Sequence, residues 1–191
     1  MQSTASPRAL PRQNRGPAAA ADNRRALIAA AREVYAEGGL GSPFSAVAKR
    51  AGVGQGSLYR HFPDRISLAV AVFEDNVRDL EEYTASPDRT IDDLLDRVVD
   101  QAVVSTAFIE LITADPSDRR VAPLGARFEA LVDRLVARDL AAGRIGAHVE
   151  TEDVSLATGM LATELARADP ALRPAVARRA RALFAAAFAP R

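Results

Sequence analysis

Five polar side chains lie within seven consecutive residues of this chain, and their types suit hydrogen bonding rather than covalent chemistry. They are Gln55, Ser57, Tyr59, Arg60 and His61. Gln and Arg can pair with adenine and guanine edges in the major groove of DNA, whereas hydroxyl and imidazole groups suit phosphate oxygens. The group therefore predicts a surface that contacts duplex DNA, with Gln55 and Arg60 reading bases.

Two short helices on either side of a glycine turn must position these side chains. The first helix is expected to have Ser42 as its N-cap and Pro43 at its first helical position, and to end at Gly52. Gly54 is the expected N-cap of the second helix, which must bury Leu58. Two short helices at this spacing predict a helix-turn-helix whose second helix enters the major groove.

Four neighbouring residues extend the predicted contact surface. Gly56 would let the helix backbone approach DNA closely, and Arg65 begins the next helix beside the same phosphates. Ser42 and Ser45 lie at a helix N-terminus, where backbone N–H groups favour phosphate. We expect these two serines to contact the opposite strand.

Charge is divided unevenly along the chain. Residues 1–62 contain nine Lys and Arg against three Asp and Glu, a net charge of +6, and residues 63–191 carry −6. A basic part attached to an acidic remainder is typical of a protein that binds a polyanion through one end. The alternative is that arginine is simply abundant here, and composition alone leaves both interpretations open.

The remaining sequence predicts an all-α chain of nine or ten helices and no sheet, because no segment alternates in the manner of a strand. Residues 1–21 have no periodicity and predict a disordered arm. Asp64, Thr90 and Thr151 are expected near or at helix N-termini. The predicted helices cover about 22–38, 43–51, 55–62, 64–83, 91–113, 124–142, 151–168 and 170–188, with a short piece before Pro123.

Composition argues against several classes of protein. The chain has no cysteine and only two histidines, so disulfides and thiolate metal sites are excluded and no metal or other cofactor is expected. It has no apolar run near the roughly 18 residues of a membrane span. The first twenty residues lack the apolar core of a secretory signal. We therefore expect a cytoplasmic protein that does not bind membranes.

Residues 42–68 resemble the DNA-binding motif of the tetracycline-repressor (TetR) family. The similarity covers about residues 23–80, and the chain length of 191 residues also fits. Two positions depart from the family pattern: Gly54 replaces a frequent Ser, and Ala46 replaces a frequent acidic residue. The matching residues are Ala48, Ala51, Gly52, Val53, Gly56, Ser57, Leu58, Tyr59, His61, Phe62, Pro63, Arg65 and Leu68.

The resemblance implies a domain plan and partners. Residues 22–67 would form a three-helix helix-turn-helix domain, and residues 68–191 a helical effector-binding and dimerisation domain. It also implies phosphate contacts from Tyr59 and His61, and a homodimer on a palindromic operator. The dimer would form through stripes on the last two helices: Val154, Ala157, Leu161, Leu165, Leu172, Val176, Ala180, Leu183 and Ala187.

The family's middle helices enclose a pocket for a small-molecule effector. Most apolar residues there are ordinary core, so the pocket set is a list of candidates. They are Gln101, Val104, Phe108, Leu111, Arg127, Phe128, Leu131, Leu156 and Met160.

The sequence therefore predicts a DNA-binding transcriptional regulator, a repressor released from its operator by an effector of unknown identity. One alternative is a helical protein-interaction module that has lost DNA binding, and retention of duplex binding would separate the two. An enzyme is a weaker alternative, because no carboxylate is paired with a nucleophile or histidine at a recognisable spacing.

Overall fold

A computed structural model describes residues 17–38, 42–101 and 119–191. These ranges contain eight helices and no strand, which confirms the all-α prediction, although the count is below nine or ten. The predicted helix 91–113 is described only as far as Gln101. The helices are α1 (Pro17–Gly38), α2 (Phe44–Arg50), α3 (Gln55–His61), α4 (Arg65–Thr84), α5 (91–101), α6 (Ala122–Ala141), α7 (Thr151–Arg167) and α8 (Arg173–Phe188).

Helix α1 begins five residues earlier than predicted. It starts at Pro17 rather than Asp22, so residues 17–21 of the predicted arm are helical. A proline followed by four alanines is a favourable helix start, because proline is tolerated in the first turn and alanine has the highest helix propensity.

Two predicted N-caps are displaced by one residue. Pro43, not Ser42, is the N-cap of α2, and Glu150, not Thr151, is the N-cap of α7. Both hydroxyls make tertiary contacts instead: Ser42 Oγ donates to a carbonyl of α1 at 3.3 Å, and Thr151 Oγ1 donates to Asp133 of α6 at 3.0 Å. These bonds orient the two hydroxyls toward neighbouring helices.

The other two expected starts are confirmed. Asp64 is the N-cap of α4 and accepts the backbone N–H of Ser67 at 2.6 Å. Thr90 Oγ1 accepts the backbone N–H of Asp93 at 3.2 Å, and the Asp93 carboxylate accepts the Thr90 N–H at 2.9 Å. These reciprocal bonds satisfy N–H groups that the first turn of a helix leaves unpaired.

Two apolar cores divide the molecule, and α4 belongs to both. The head core joins α1, α2 and α3 to the first half of α4, including Leu68 and Val72. The body core joins Leu80 at the other end of α4 to α5, α6, α7 and α8. Hereafter the head is residues 17–72, and the body is the described chain from residue 73 onward. Because α4 contributes to both cores, a displacement of α4 must be felt in both.

Candidate nucleic-acid interface and ligand cavity

The turn between α2 and α3 fixes the direction of α3. Gly52 has a φ of 65°, a left-handed conformation that favours glycine. The next residue, Val53, donates its N–H to the Ala48 carbonyl at 3.0 Å, which closes the end of α2. Gly54 then caps α3 with extended backbone and no side-chain bond, as predicted.

Two apolar residues attach α3 to the head. Leu58 is fully buried and Phe62, the residue after the helix, is 2% exposed. Full burial of a leucine side chain contributes about 1.5–3 kcal/mol. A seven-residue helix held on this side presents its opposite side to solvent.

The predicted contact residues of α3 lie on that solvent side. Gln55, Gly56 and Arg60 are exposed, while Ser57 and His61 are partly exposed. A Cβ added at Gly56 would meet no atom within 4 Å. The chain's own packing therefore does not require glycine at this position.

The Tyr59 ring is exposed yet restrained. It makes an edge-to-face contact with Phe44 of α2, with ring centroids 5.6 Å apart, and 52% of the residue remains exposed. An aromatic ring supported on one edge loses little freedom when its other surface is covered by a partner.

The Arg60 guanidinium lies along the helix. Its Nε donates to the Gly56 carbonyl at 3.1 Å, and Nη2 donates to Ser57 Oγ at 2.9 Å. These bonds hold the guanidinium on the exposed side and leave further N–H donors of its fork for a partner.

The residues predicted to flank α3 are also close to one another. Arg65 Nη2 donates to the Ser42 carbonyl at 3.0 Å, which joins the start of α4 to the segment that precedes α2. Ser45 is partly exposed in the first turn of α2. The Ser42 hydroxyl hydrogen is already bonded within the head, so Ser42 has less to offer a phosphate than predicted.

Two basic residues at the end of α2 have different environments. Arg50 pairs with Glu33 at 2.9 Å and Glu37 at 2.7 Å, and hydrogen bonds from Arg50 hold the pKa of Glu37 below its usual range. Lys49 is exposed beside Ser42 and Pro43. Lys49 is therefore a candidate phosphate contact that the sequence analysis missed, although it is the only lysine of the chain.

A cavity of about 380 Å³ lies between α4, α5, α6 and α7 in the body. Its apolar wall includes Phe73, Val77, Leu80, Val98, Leu124 and Phe128. The polar groups that line it are Asn76, Gln101, Glu129, Ser155, Thr158 and Thr163. A cavity of this size is at the lower end of the range for small-molecule sites.

Gln101 and Phe128 are the predicted effector residues that line this cavity. Arg127 does not line it and instead pairs with Glu81 at 2.6 Å. Hydrogen bonds from Arg127 lower the pKa of Glu81, so the pair remains charged. Val104, Phe108 and Leu111 lie outside the described residues.

Comparisons with known proteins agree with this geometry. Residues 27–72, which are α1 to the first part of α4, match the family model described as bacterial regulatory proteins, tetR family. A TetR transcription regulatory protein from Mycobacterium vanbaalenii has 30% sequence identity over 78% of this chain and 93% of its own, with a TM-score of 0.60.

The chain belongs to the tetR family. It is therefore a helix-turn-helix, DNA-binding transcriptional regulator. A comparison with curated proteins finds no match.

Two further solved structures agree in fold. A TetR transcriptional regulator from Streptomyces coelicolor has 24% identity and a TM-score of 0.64, covering 87% of this chain and 98% of its own. The fatty acid degradation regulator FadR from Bacillus halodurans has 19% identity and a TM-score of 0.57, covering 88% of this chain and 96% of its own. Both alignments extend well beyond the head, so the body too has the architecture of tetR regulators.

The predicted dimer stripe on α7 is wrong. Val154, Ala157, Leu161 and Leu165 are between 0% and 4% exposed within a single chain, so they are not available to a partner. Val154, Leu161 and Leu165 belong to the body core, because that side of α7 packs on α6 and α8.

A different side of α7 is exposed. Leu156 is 64% exposed and Met160 56%, and neither lines the cavity to which the sequence analysis assigned them. Leu131, also assigned there, is 1% exposed in the body core. Leu156 and Met160 border a groove with Leu183 of α8, which is 56% exposed. We call Leu156, Met160 and Leu183 the outer face.

The predicted stripe on α8 is partly exposed. Val176 and Ala180 pack against the body core, whereas Leu172 and Ala187 are exposed, as is Leu183 of the outer face.

No helix of the described ranges is long and apolar enough to cross a membrane.

Proposed function

We propose that this tetR regulator is a dimeric repressor that binds a palindromic operator and leaves it when a small molecule occupies the body cavity. The observation that carries the proposal is the polar side of α3, exposed on a helix held by buried Leu58 and Phe62. The excess of basic residues in residues 1–62 supports it. We expect a cytoplasmic protein without a catalytic step.

The exposed residues divide by chemistry. Gln55 and Arg60 have the donors and acceptors that distinguish bases in the major groove. Tyr59 and His61 suit phosphates, as does Ser57, which already accepts a bond from Arg60. Contacts from Ser45, Arg65 and Lys49, and a weaker one from Ser42, would hold the DNA phosphate backbone on the other side of the groove.

A second copy is needed because one α3 covers only half of a palindromic site. Two-fold dimers place their reading helices about 34–36 Å apart, one turn of DNA. The outer face supports such a dimer, since it exposes three large apolar side chains on the last two helices. Such exposed apolar groups are commonly covered by a partner.

Helix α4 supplies a route from cavity to head. Phe73, Asn76, Val77 and Leu80 of α4 line the cavity. Asn76 Oδ1 also accepts a hydrogen bond from Arg32 of α1 at 3.1 Å. A ligand that displaces Asn76 would therefore change a contact with the head.

Another contact joins the segment before α6, beside the cavity, to the start of α4. Arg120, next to the cavity residue Val121, donates to both oxygens of the Asp64 cap, at 3.1 and 3.2 Å. Coupling of about 1–3 kcal/mol between two sites changes affinity roughly 5- to 150-fold.

A gel shift with the DNA upstream of the protein's own gene tests this proposal, with an equal-length random duplex as control. We expect selective binding that weakens steeply with salt, because phosphate contacts release counterions, and loss of the shifted band with a cell extract that contains the effector. Equal affinity for both duplexes would contradict operator recognition.

A further inference from the structure

The polar groups that line the body cavity differ in whether they have hydrogen-bond partners. Ser155 Oγ is buried and has no hydrogen-bond partner among the described residues, although Ser155 lines the cavity. A buried hydroxyl without a partner costs roughly 1–3 kcal/mol, so a ligand that bonds to it would gain affinity. This atom can pair with a ligand group of either kind, a donor or an acceptor, so the neighbouring polar groups decide between them.

Two other polar groups offer acceptors to the cavity. Thr158 Oγ1 donates its hydrogen to the Val154 carbonyl at 2.8 Å, which leaves it only lone pairs. The Gln101 amide nitrogen donates to Asp79 at 2.8 Å and to the Asn76 carbonyl at 3.2 Å, which leaves the Gln101 carbonyl oxygen as an acceptor. Acceptors of this kind favour a donating ligand over a carboxylate, which has no hydrogen to give.

Positive charge is missing from the described cavity wall, which includes no Lys, Arg or His. The nearby arginines are paired: Arg127 with Glu81 at 2.6 Å and Arg97 with Asp79 at 2.7 Å. The one charged residue that lines the cavity is Glu129, a carboxylate, within the described wall.

We infer that the cavity takes an uncharged, mainly apolar molecule with a hydroxyl group bonded to Ser155, and that it rejects carboxylates. Burial of an anion without a counter-charge is far more costly than burial of a neutral hydroxyl. The inference rests on the proposed function, because it assigns the chemistry of the effector.

Two pairs of probes that differ only in the polar group test the inference: 2-naphthol with 2-naphthoate, and 1-octanol with octanoate. Isothermal titration calorimetry on the full chain measures each affinity. We expect at least one alcohol to bind, and to bind about tenfold or more tightly than its acid. Binding of the acids with equal or higher affinity would overturn the inference, and so would no binding by either alcohol at its solubility limit.

Substitutions in the cavity locate the binding. S155A should weaken the alcohol that binds by about threefold to tenfold, the usual contribution of one hydrogen bond. The variant should also be at least as resistant to urea as the unaltered chain, because it removes an unpaired hydroxyl. An unchanged affinity, or a loss of stability, would contradict the role of Ser155. S86A, in the exposed turn after α4, is the matched control and should change neither quantity.

A filled cavity is the second check. A Cβ at Gly125 of α6, which lines the cavity, would meet no atom within 4 Å, so a side chain can begin there without a clash, and we expect that of G125L to occupy part of the cavity. It should lower the affinity for the alcohol at least tenfold. If G125L binds the alcohol as tightly as the unaltered chain does, the probe binds outside the cavity and the inference is refuted.

The same probes in the gel shift separate this inference from the proposed function. An alcohol that binds but leaves the operator complex intact contradicts release by ligand, while the ligand class stands. Release by a cell extract, with no binding by either alcohol, contradicts the ligand class and leaves the proposed function standing.

Discussion

Helix α3 of the head and the helices around the body cavity use their polar side chains in opposite ways. In the head, the polar side of α3 is open to solvent, and Arg60 bonds only within its own helix. In the body, Arg97, Arg127 and Arg138 each bond to residues of other helices or turns. A short helix with free polar groups is suited to a partner outside the chain, whereas paired charges hold helices around a cavity.

The sharpest difference in stability lies between buried and exposed leucines of the two regions. L58A removes the apolar anchor of α3 in a small core, and such substitutions cost about 2–5 kcal/mol. We expect the urea midpoint to fall and operator binding to disappear. L156A, on the outer face of the body, is the matched control, and it should leave unfolding of the monomer nearly unchanged. Equal destabilisation by both would show that α3 is not held by Leu58.

The outer face of the body should behave as an interface rather than as core. M160E places a carboxylate among apolar side chains that a second copy would cover, and we expect association to weaken about tenfold to hundredfold. Sedimentation velocity at several concentrations measures this. M160L, which keeps the apolar surface, should remain dimeric. A wild-type protein that is monomeric at micromolar concentration would exclude the interface altogether.

The residues of α3 divide into base-reading and phosphate-binding groups. R60A should weaken binding to the operator by about 1–3 kcal/mol more than binding to a random duplex, because one bidentate base contact contributes about that much discrimination. Y59F, which removes only the hydroxyl, should weaken both duplexes to the same extent. Fluorescence anisotropy with both duplexes distinguishes these outcomes. An equal loss on both duplexes for R60A would remove its base-reading role.

Gly56 tests whether the open side of α3 is shaped for DNA or for the fold. Its Cβ position is empty, and glycine inside a helix costs about 0.5–1 kcal/mol relative to alanine. We therefore expect G56A to raise stability slightly while weakening DNA binding, because the methyl group holds the backbone away from the duplex. G125A, a helical glycine of the body, should also gain stability but keep its affinity for DNA. A gain of stability without any loss of DNA binding would end the close-approach argument.

The two regions also differ in how much their sequences predict. The head is defined by local signals: a glycine that must be left-handed at residue 52 and an apolar side chain at residue 58 are close in sequence to the residues they position. The body has two apolar stripes on α7, one with Val154 and Leu161 and one with Leu156 and Met160. Periodicity alone does not say which stripe faces the core, because that depends on helices far away in sequence.

The charge of the head shows the same limit of prediction from sequence alone. Arg50 counts toward the basic excess of the head, yet it pairs with Glu33 and Glu37, which lie 17 and 13 residues earlier in the chain. Lys49, its neighbour, is exposed. A count of basic residues along the sequence therefore overstates the positive charge available to DNA wherever helices bring opposite charges together.

Acidification should produce the smallest of the predicted changes in stability, through the paired charges of the body. Hydrogen bonds from Arg97, and then from Gln101, hold the pKa of Asp79 below its usual value of 3.8. A carboxylate with a lowered pKa in the folded state contributes stability above the unfolded pKa, and that contribution is lost as the pH falls through the folded value. The side chain is 40% exposed, so solvent screening limits the effect to about a few tenths of a kcal/mol.

Urea unfolding at pH 7 and at pH 3 measures this contribution. In D79N the loss of stability between the two pH values should be smaller than in the unaltered chain, because the variant has no charge to lose. D88N, an exposed carboxylate in the turn after α4, should show the full loss. If D79N and D88N lose stability equally on acidification, the Asp79–Arg97 pair contributes nothing measurable, and the body depends on its apolar core alone.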